Sequence, residues 1–122
     1  MIKVSVILTT YNSENQIQEV IDSIHKQEGR DELFELELLV VDDCSTDATQ
    51  TILLKNKINF QLTCKNTGGP NQGRNYALKQ CTGNYICIAD HDDIWFSNKI
   101  VQLLAVVDLA PIISSGYILS DK

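Results

Sequence analysis

No stretch of this chain is apolar for long enough to cross a membrane. The longest such region, Ile100 to Ile113, is interrupted by Gln102, Asp108 and Pro111. There is no surplus of positive charge either. The 122 residues carry 10 Lys+Arg against 16 Asp+Glu, a formal net charge of −6 at pH 7, which argues against non-specific contact with nucleic acid or anionic membrane. The four cysteines, Cys44, Cys64, Cys81 and Cys87, form no Cys-x-x-Cys pair. That spacing is poor for zinc and is expected to leave free thiols in an intracellular protein. The N-terminus has no long apolar stretch of the signal-peptide kind, and there is no internal repeat, low-complexity tract or linker. Apolar residues at 43% and charged residues at 21% are ordinary for one soluble domain, expected in the cytoplasm.

What the chain does have is β-branched runs alternating with helical spacing. Val4 to Leu8, Leu36 to Val41, an alternating run from Ile58 to Cys64, Tyr85 to Ala89 and Ile112 to Leu119 read as strands. Between them, Ile17, Val20, Ile21 and Ile24 share a helical face, with Ser13 and Gln16 as a capping box. Helices are also predicted around Asp47 to Leu54 and over Asn71 to Gln80, the latter closed by Gly83. A further helix is capped by Ser97 and stopped by Pro111. This order predicts an α/β fold, a doubly wound, mostly parallel sheet with helices on both faces. Ligands of such sheets bind outside the carboxyl ends of the strands. The segments leaving those ends are polar: Thr9-Thr10-Tyr11-Asn12, Asp42-Asp43, Lys65 to Gly69, and Asp90-His91-Asp92-Asp93.

The last of these concentrates the chemistry. Three carboxylates in four residues, after an apolar strand expected to be buried, repel one another unless a cation or protons relieve them. Oxygen ligands suit a hard ion, Mg2+ or Mn2+, which commonly holds substrate phosphates. The competing reading is a turn whose Asp92 or Asp93 caps the next helix.

Together these residues resemble the nucleotide-binding half of the family 2 glycosyltransferases, which have the GT-A fold. Val4 to Asn12 is similar to that family's first strand and loop, and Leu39 to Asp47 to its second strand and acidic turn. Asn66 to Tyr76 resembles its asparagine, glycine and arginine stretch, and Asp90 to Trp95 its metal-binding acidic motif. The resemblance covers essentially the whole chain. It implies transfer of a sugar from a nucleotide diphosphate donor to a saccharide or lipid-linked acceptor with inversion, assisted by Mn2+ or Mg2+ at Asp92 and Asp93. The nucleotide would be held by Thr9, Tyr11, Asn12, Asp43, Arg74 and Asp90. Tyr11 would stack on the base. Asp43 would accept the imide hydrogen of a uracil, whereas Asp42 completes the turn. Arg74 would meet base or phosphates, against the simpler reading of a solvated arginine. Gly68 and Gly69 would let a ligand approach or merely form a turn. His91 reads as a spacer, Trp95 as packing beneath the acidic loop, and Cys87 as a core residue.

By the same resemblance the catalytic base and the acceptor region follow Lys122. Residues 1–122 would then be a single donor-binding domain truncated before them, either free in the cytoplasm or peripheral to the inner face of the membrane. A poorly covered last strand would favour a homodimer. Two other classes stay open: a non-catalytic nucleotide-sugar-binding or interaction module, and a receiver-like signalling domain. Against the receiver stands the lack of a lysine between Ile112 and the terminal Lys122.

Overall fold

In the computed structural model, which describes residues 1–58, 60–62 and 71–106, strands and helices alternate in the predicted order. They are β1 (Ile2–Thr10), α1 (Ile17–His25), β2 (Phe34–Asp42), α2 (Thr49–Lys55), β3 (Phe60–Leu62), α3 (Asn71–Leu78), β4 (Tyr85–Asp90) and α4 (Lys99–Leu104). The strands form one sheet in the order β3-β2-β1-β4, and every pairing is parallel. β1 is central. Its run Val4 to Leu8 is at most 1% exposed, as expected of a parallel strand covered on both faces.

Alternation along β1 sorts the helices. Val4, Val6 and Leu8 pack with Ile17, Val20, Ile21 and Ile24 of α1, Leu53 of α2 and Ile100 of α4. On the other face Ile7 and Val41 pack with Ala77 of α3. The sheet is therefore doubly wound. From β1 the chain moves outward through β2 to β3, then returns by α3 to place β4 on the opposite side of β1, creating a switch point between β1 and β4.

Several local expectations are corrected. The capping box does not form: the Ser13 carbonyl accepts from Gln16 N–H (3.0 Å) and Ile17 N–H (2.9 Å), while Ser13 Oγ is buried without a partner among the described residues. The Ser13 N–H is instead held by Thr49 Oγ1 at 2.8 Å, a tertiary contact that sequence spacing does not reveal. β4 is less buried than its apolar run suggests. Ile86 and Ile88 are both 44% exposed, because among the described residues β4 has a strand on one side only. Ser97 does not cap α4, whose first flanking residue is Asn98; its hydroxyl donates to Glu28 Oε1 instead. Cys44 is disulfide-bonded, against the expectation of free thiols. Cys81 and Cys87 are free, and Cys87 is half-buried against the core. The predicted strand Ile112 to Leu119, the Gly68-Gly69 turn and Cys64 lie outside the described residues.

Gly83 does not close a helix. A Cβ there would lie 2.5 Å from Ser5 Oγ and 2.7 Å from Ser5 N, so glycine is needed for the chain to approach β1. Its N–H donates to Ser5 Oγ (2.8 Å), and that hydroxyl donates on to Glu37 Oε1 (2.8 Å). Glu37 also accepts from Thr82 N–H (3.0 Å) and Thr82 Oγ1 (2.7 Å), and faces Lys3 Nζ at 3.2 Å. Burial alone would raise this carboxyl, but the bonds from Thr82, Ser5 and Lys3 outweigh it and hold the pKa at about 2. A depressed acid contributes stability that is complete above its unfolded value of 4.5 and is lost as pH falls toward 2. Urea melts across that window should show the parent losing stability more steeply than Glu37→Gln. Parallel losses would remove Glu37 as the cause.

The C-terminus of α2 closes as a Schellman turn. Ile58 N–H bonds the Leu53 carbonyl (3.1 Å) and Lys57 N–H the Leu54 carbonyl (3.0 Å), while Leu53 and Ile58 are both buried. Lys57 occupies the left-handed position at φ 59°, a conformation that glycine adopts without penalty. Lys57→Gly is expected to raise the unfolding free energy by about 1 kcal/mol, read from the denaturation midpoint.

Candidate functional site

At the carboxyl end of the sheet, register sets three strand termini side by side. Thr10 pairs with Asp42 and Thr9 with Asp90. The loops after β1 and β2 are then laced together. Asp42 is fully buried. Its carboxylate accepts from Thr10 Oγ1 (2.6 Å), Ser45 N–H (2.9 Å), Ser45 Oγ (2.6 Å) and Gln50 Nε2 (3.0 Å). Asn12 N–H donates to Ser45 Oγ (2.9 Å), and Asn12 Oδ1 accepts from Thr46 N–H (2.8 Å). Glu14 N–H donates to Asp47 Oδ2 (3.1 Å), and Glu14 Oε2 accepts from Ala48 N–H (3.0 Å). Both loops turn through left-handed residues, Asn12 at φ 46° and Cys44 at φ 50°. Asparagine tolerates that region better than most side chains.

This lacing separates the two neighbouring aspartates. Asp42 is a structural bolt that completes the turn, as expected. Asp43 is half-buried and is not needed as a helix cap, because Asp47 Oδ1 takes the Thr49 N–H (2.9 Å) at the start of α2. Burial opposes ionisation of Asp47, yet bonds from the Thr49 hydroxyl, the Thr49 N–H and the Glu14 N–H win and hold its carboxyl below the ordinary range. Tyr11 sits on the adjoining loop, 40% exposed, whereas Thr9 is only 6% exposed.

Across the switch point, β4 delivers the acidic segment. Asp93 N–H bonds the Asp90 carbonyl (3.1 Å), folding the segment into a turn. This brings carboxylate oxygens of Asp90, Asp92 and Asp93 all within 4.8 Å of one another. Asp92 and Asp93 are exposed and Asp90 is half-buried. Arg74, projected from α3, pairs with Asp90, and its Nε is buried without a partner among the described residues. Arg74 is therefore no solvated surface arginine. A donor set of three carboxylates, two of them facing solvent, fits a hard divalent cation with positions left for phosphate oxygens. Trp95 is buried behind the acidic turn, as expected, with Lys99 Nζ 4.6 Å from its ring centroid. His91 Nδ1 is buried without a hydrogen-bond partner among the described residues.

The structure thus gathers Thr9, Arg74, Asp90, Asp92 and Asp93 at the β1–β4 switch point, with Tyr11, Asn12 and Asp43 on the loops beside it. Sequence reading missed Glu14, Gln50, Ser23 and Gln27, all polar residues on or beside helices, where spacing carries no sign of a tertiary partner.

A family model for Glycosyl transferase family 2 matches residues 5–116. The chain belongs to glycosyl transferase family 2. This family 2 chain is 42% identical over 112 residues to the poly(ribitol-phosphate) beta-N-acetylglucosaminyltransferase TarS of Staphylococcus aureus (strain Mu50), an alignment covering 88% of the chain and 19% of TarS. It thus spans about a fifth of that relative's length. The crystal structure of S. aureus TarS 1–349 in complex with UDP-GlcNAc superposes with a TM-score of 0.72 at 41% identity, over 88% of this chain and 31% of that one. The mannosyltransferase PcManGT from Pyrobaculum calidifontis, in complex with GDP-Man and Mn2+, gives a TM-score of 0.75 at 28% identity, over 85% and 32%. The fold of this family 2 chain is the Rossmann-like GT-A arrangement.

The contrast between the adjacent aspartates can be measured. Asp42→Ala takes away the shared acceptor of four buried or half-buried donors and is expected to lower the unfolding free energy by about 3 kcal/mol. Asp43→Ala should change it by only about 0.5 kcal/mol. Denaturant melts of the two variants check this, and equal losses would contradict the division of roles.

Proposed function

We propose that this chain is the donor-binding domain of an inverting glycosyltransferase. It holds a nucleotide diphosphate sugar, UDP-linked, together with Mn2+ or Mg2+. The observation that carries this reading is the meeting of three carboxylates and one arginine at the switch point of a family 2 sheet, where open α/β folds take their ligands. Further support comes from the relatives, one solved with UDP-GlcNAc and another with GDP-Man and Mn2+.

In this reading Asp92 and Asp93 ligate the metal, and Asp90 orients Arg74 toward the phosphates while staying within reach of the ion. Tyr11 offers an exposed face to the base. Asp43 accepts its imide hydrogen, while Thr9 and Asn12 shape the floor beneath base and ribose. A divalent ion at this site would neutralise charge on the departing diphosphate. The saccharide or lipid-linked acceptor and the base that deprotonates it belong to a further region, consistent with relatives several times longer than this chain. Among the described residues no helix is long and apolar enough to cross a membrane.

Calorimetry tests the reading directly. UDP should bind the chain, and more tightly with Mn2+ present. Asp92→Asn or Asp93→Asn should abolish the metal dependence, while Glu35→Gln, exposed at the far end of β2, should leave it intact. UDP affinity indifferent to metal would remove the metal role. UDP should also bind better than CDP, whose base lacks the imide hydrogen, and Asp43→Asn should erode that preference by roughly 1.5–3 kcal/mol. Equal affinities in the parent would count against Asp43.

A further inference from the structure

The acidic turn is tied at both ends. Upstream, β4 pairs with β1 through Asp90. Downstream, the chain is fastened to the C-terminal end of α1 and the residues just beyond it. Trp95 N–H donates to Ser23 Oγ (3.0 Å), Glu28 N–H donates to the Ser97 carbonyl (2.8 Å), and between these contacts lies Gln27. Gln27 is 5% exposed although its side chain is polar. Its Nε2 donates to the Phe96 carbonyl (2.7 Å) and to the Ser23 carbonyl (3.1 Å), and its Oε1 accepts from Ile100 N–H (3.0 Å). The orientation of the amide is dictated by chemistry: a carbonyl can only accept and a backbone N–H can only donate, so no flip satisfies both. One side chain therefore sets the position of Phe96 and of the first turn of α4 relative to α1. Only Ile94 and Trp95 stand between Asp93 and Phe96, and Trp95 is buried, leaving little slack.

We propose that Gln27 is a positioning residue for the Asp90–Asp93 carboxylates, holding them at the spacing a divalent ion requires. This rests on the metal reading given above. Residues that orient metal ligands without touching the metal typically change affinity by about 10–100-fold when replaced.

Mn2+ titration followed by electron paramagnetic resonance, on the whole chain without nucleotide, reads the effect apart from any activity. Trp95 is the single tryptophan, so its fluorescence quenching reports the loop itself. Gln27→Met, of similar length but unable to make these bonds, should weaken Mn2+ binding by about tenfold or more and expose Trp95 to quencher while the far-ultraviolet circular dichroism is retained. Glu37→Gln, at the opposite end of the sheet, controls for general loss of stability and should leave Mn2+ affinity unchanged. A folded Gln27→Met with parental affinity overturns the proposal, as does an equal loss in Glu37→Gln. Should Gln27→Met fail to fold, Gln27→Glu carries the test: it keeps an acceptor for the Ile100 N–H but removes the donor to the Phe96 and Ser23 carbonyls, and parental affinity in that folded variant overturns the proposal in the same way. A parent chain that binds no Mn2+ is a different failure, because it overturns the metal reading itself and this inference with it.

Discussion

Loops that leave a parallel sheet carry backbone N–H and carbonyl groups that must be paired before a ligand can meet fixed partners. Here that requirement falls on one buried carboxylate. Asp42 ends β2 with no exposure and gathers the hydroxyl of Thr10 from the neighbouring strand, the backbone and hydroxyl of Ser45, and the amide of Gln50 from α2. A buried charge is tolerated only when its lone pairs are filled, so the loop must adopt the conformation that delivers those donors. The left-handed turn at Cys44, the lacing to Asn12 and the exposed ring of Tyr11 all follow from that closure. Asp43 is spared a capping duty because Asp47 already takes the Thr49 N–H at the start of α2.

The site is assembled from two halves fixed by different means. The β1 and β2 loops are held by hydrogen bonds to each other. The acidic turn is held by β4 pairing above and by the α1 end below, with Arg74 of α3 reaching Asp90 from the opposite face of the sheet. Helices from both layers thus converge on one switch point. The amino end of the sheet has its own polar knot around Glu37, in which Ser5, Thr82 and Lys3 satisfy a carboxylate at the far end from the candidate site. That separation lets stability and binding be perturbed independently.

Much of this was legible in the residues. Short runs rich in β-branched residues, such as Val4 to Leu8, mark strands buried on both faces, and the 3.6-residue spacing of Ile17, Val20, Ile21 and Ile24 marks α1, because those patterns are imposed by local geometry. The acidic tetrad was visible for the same reason: its carboxylates are close in sequence and so close in space. Errors fell where a local signal had a tertiary competitor. Ser13 looks like a cap, but Thr49 claims its N–H and fixes it elsewhere. Gly83 looks like a helix stop, but its missing Cβ serves contact with Ser5. Ile86 and Ile88 look buried, but each is 44% exposed, and among the described residues β4 has a strand on one side only.

By itself the sequence determined the alternation of strands and helices, the doubly wound class, the acidic character of the strand ends and the family to which the chain belongs. These depend on period and short-range spacing, which one-dimensional order encodes directly. Only the tertiary structure decided which of two neighbouring aspartates is buried, that Arg74 reaches Asp90 sixteen residues away, and that Gln27 grips Phe96 across sixty-nine. Such partners are chosen by strand order and helix packing, and a polar side chain shows its partner only once the chain has folded back upon itself.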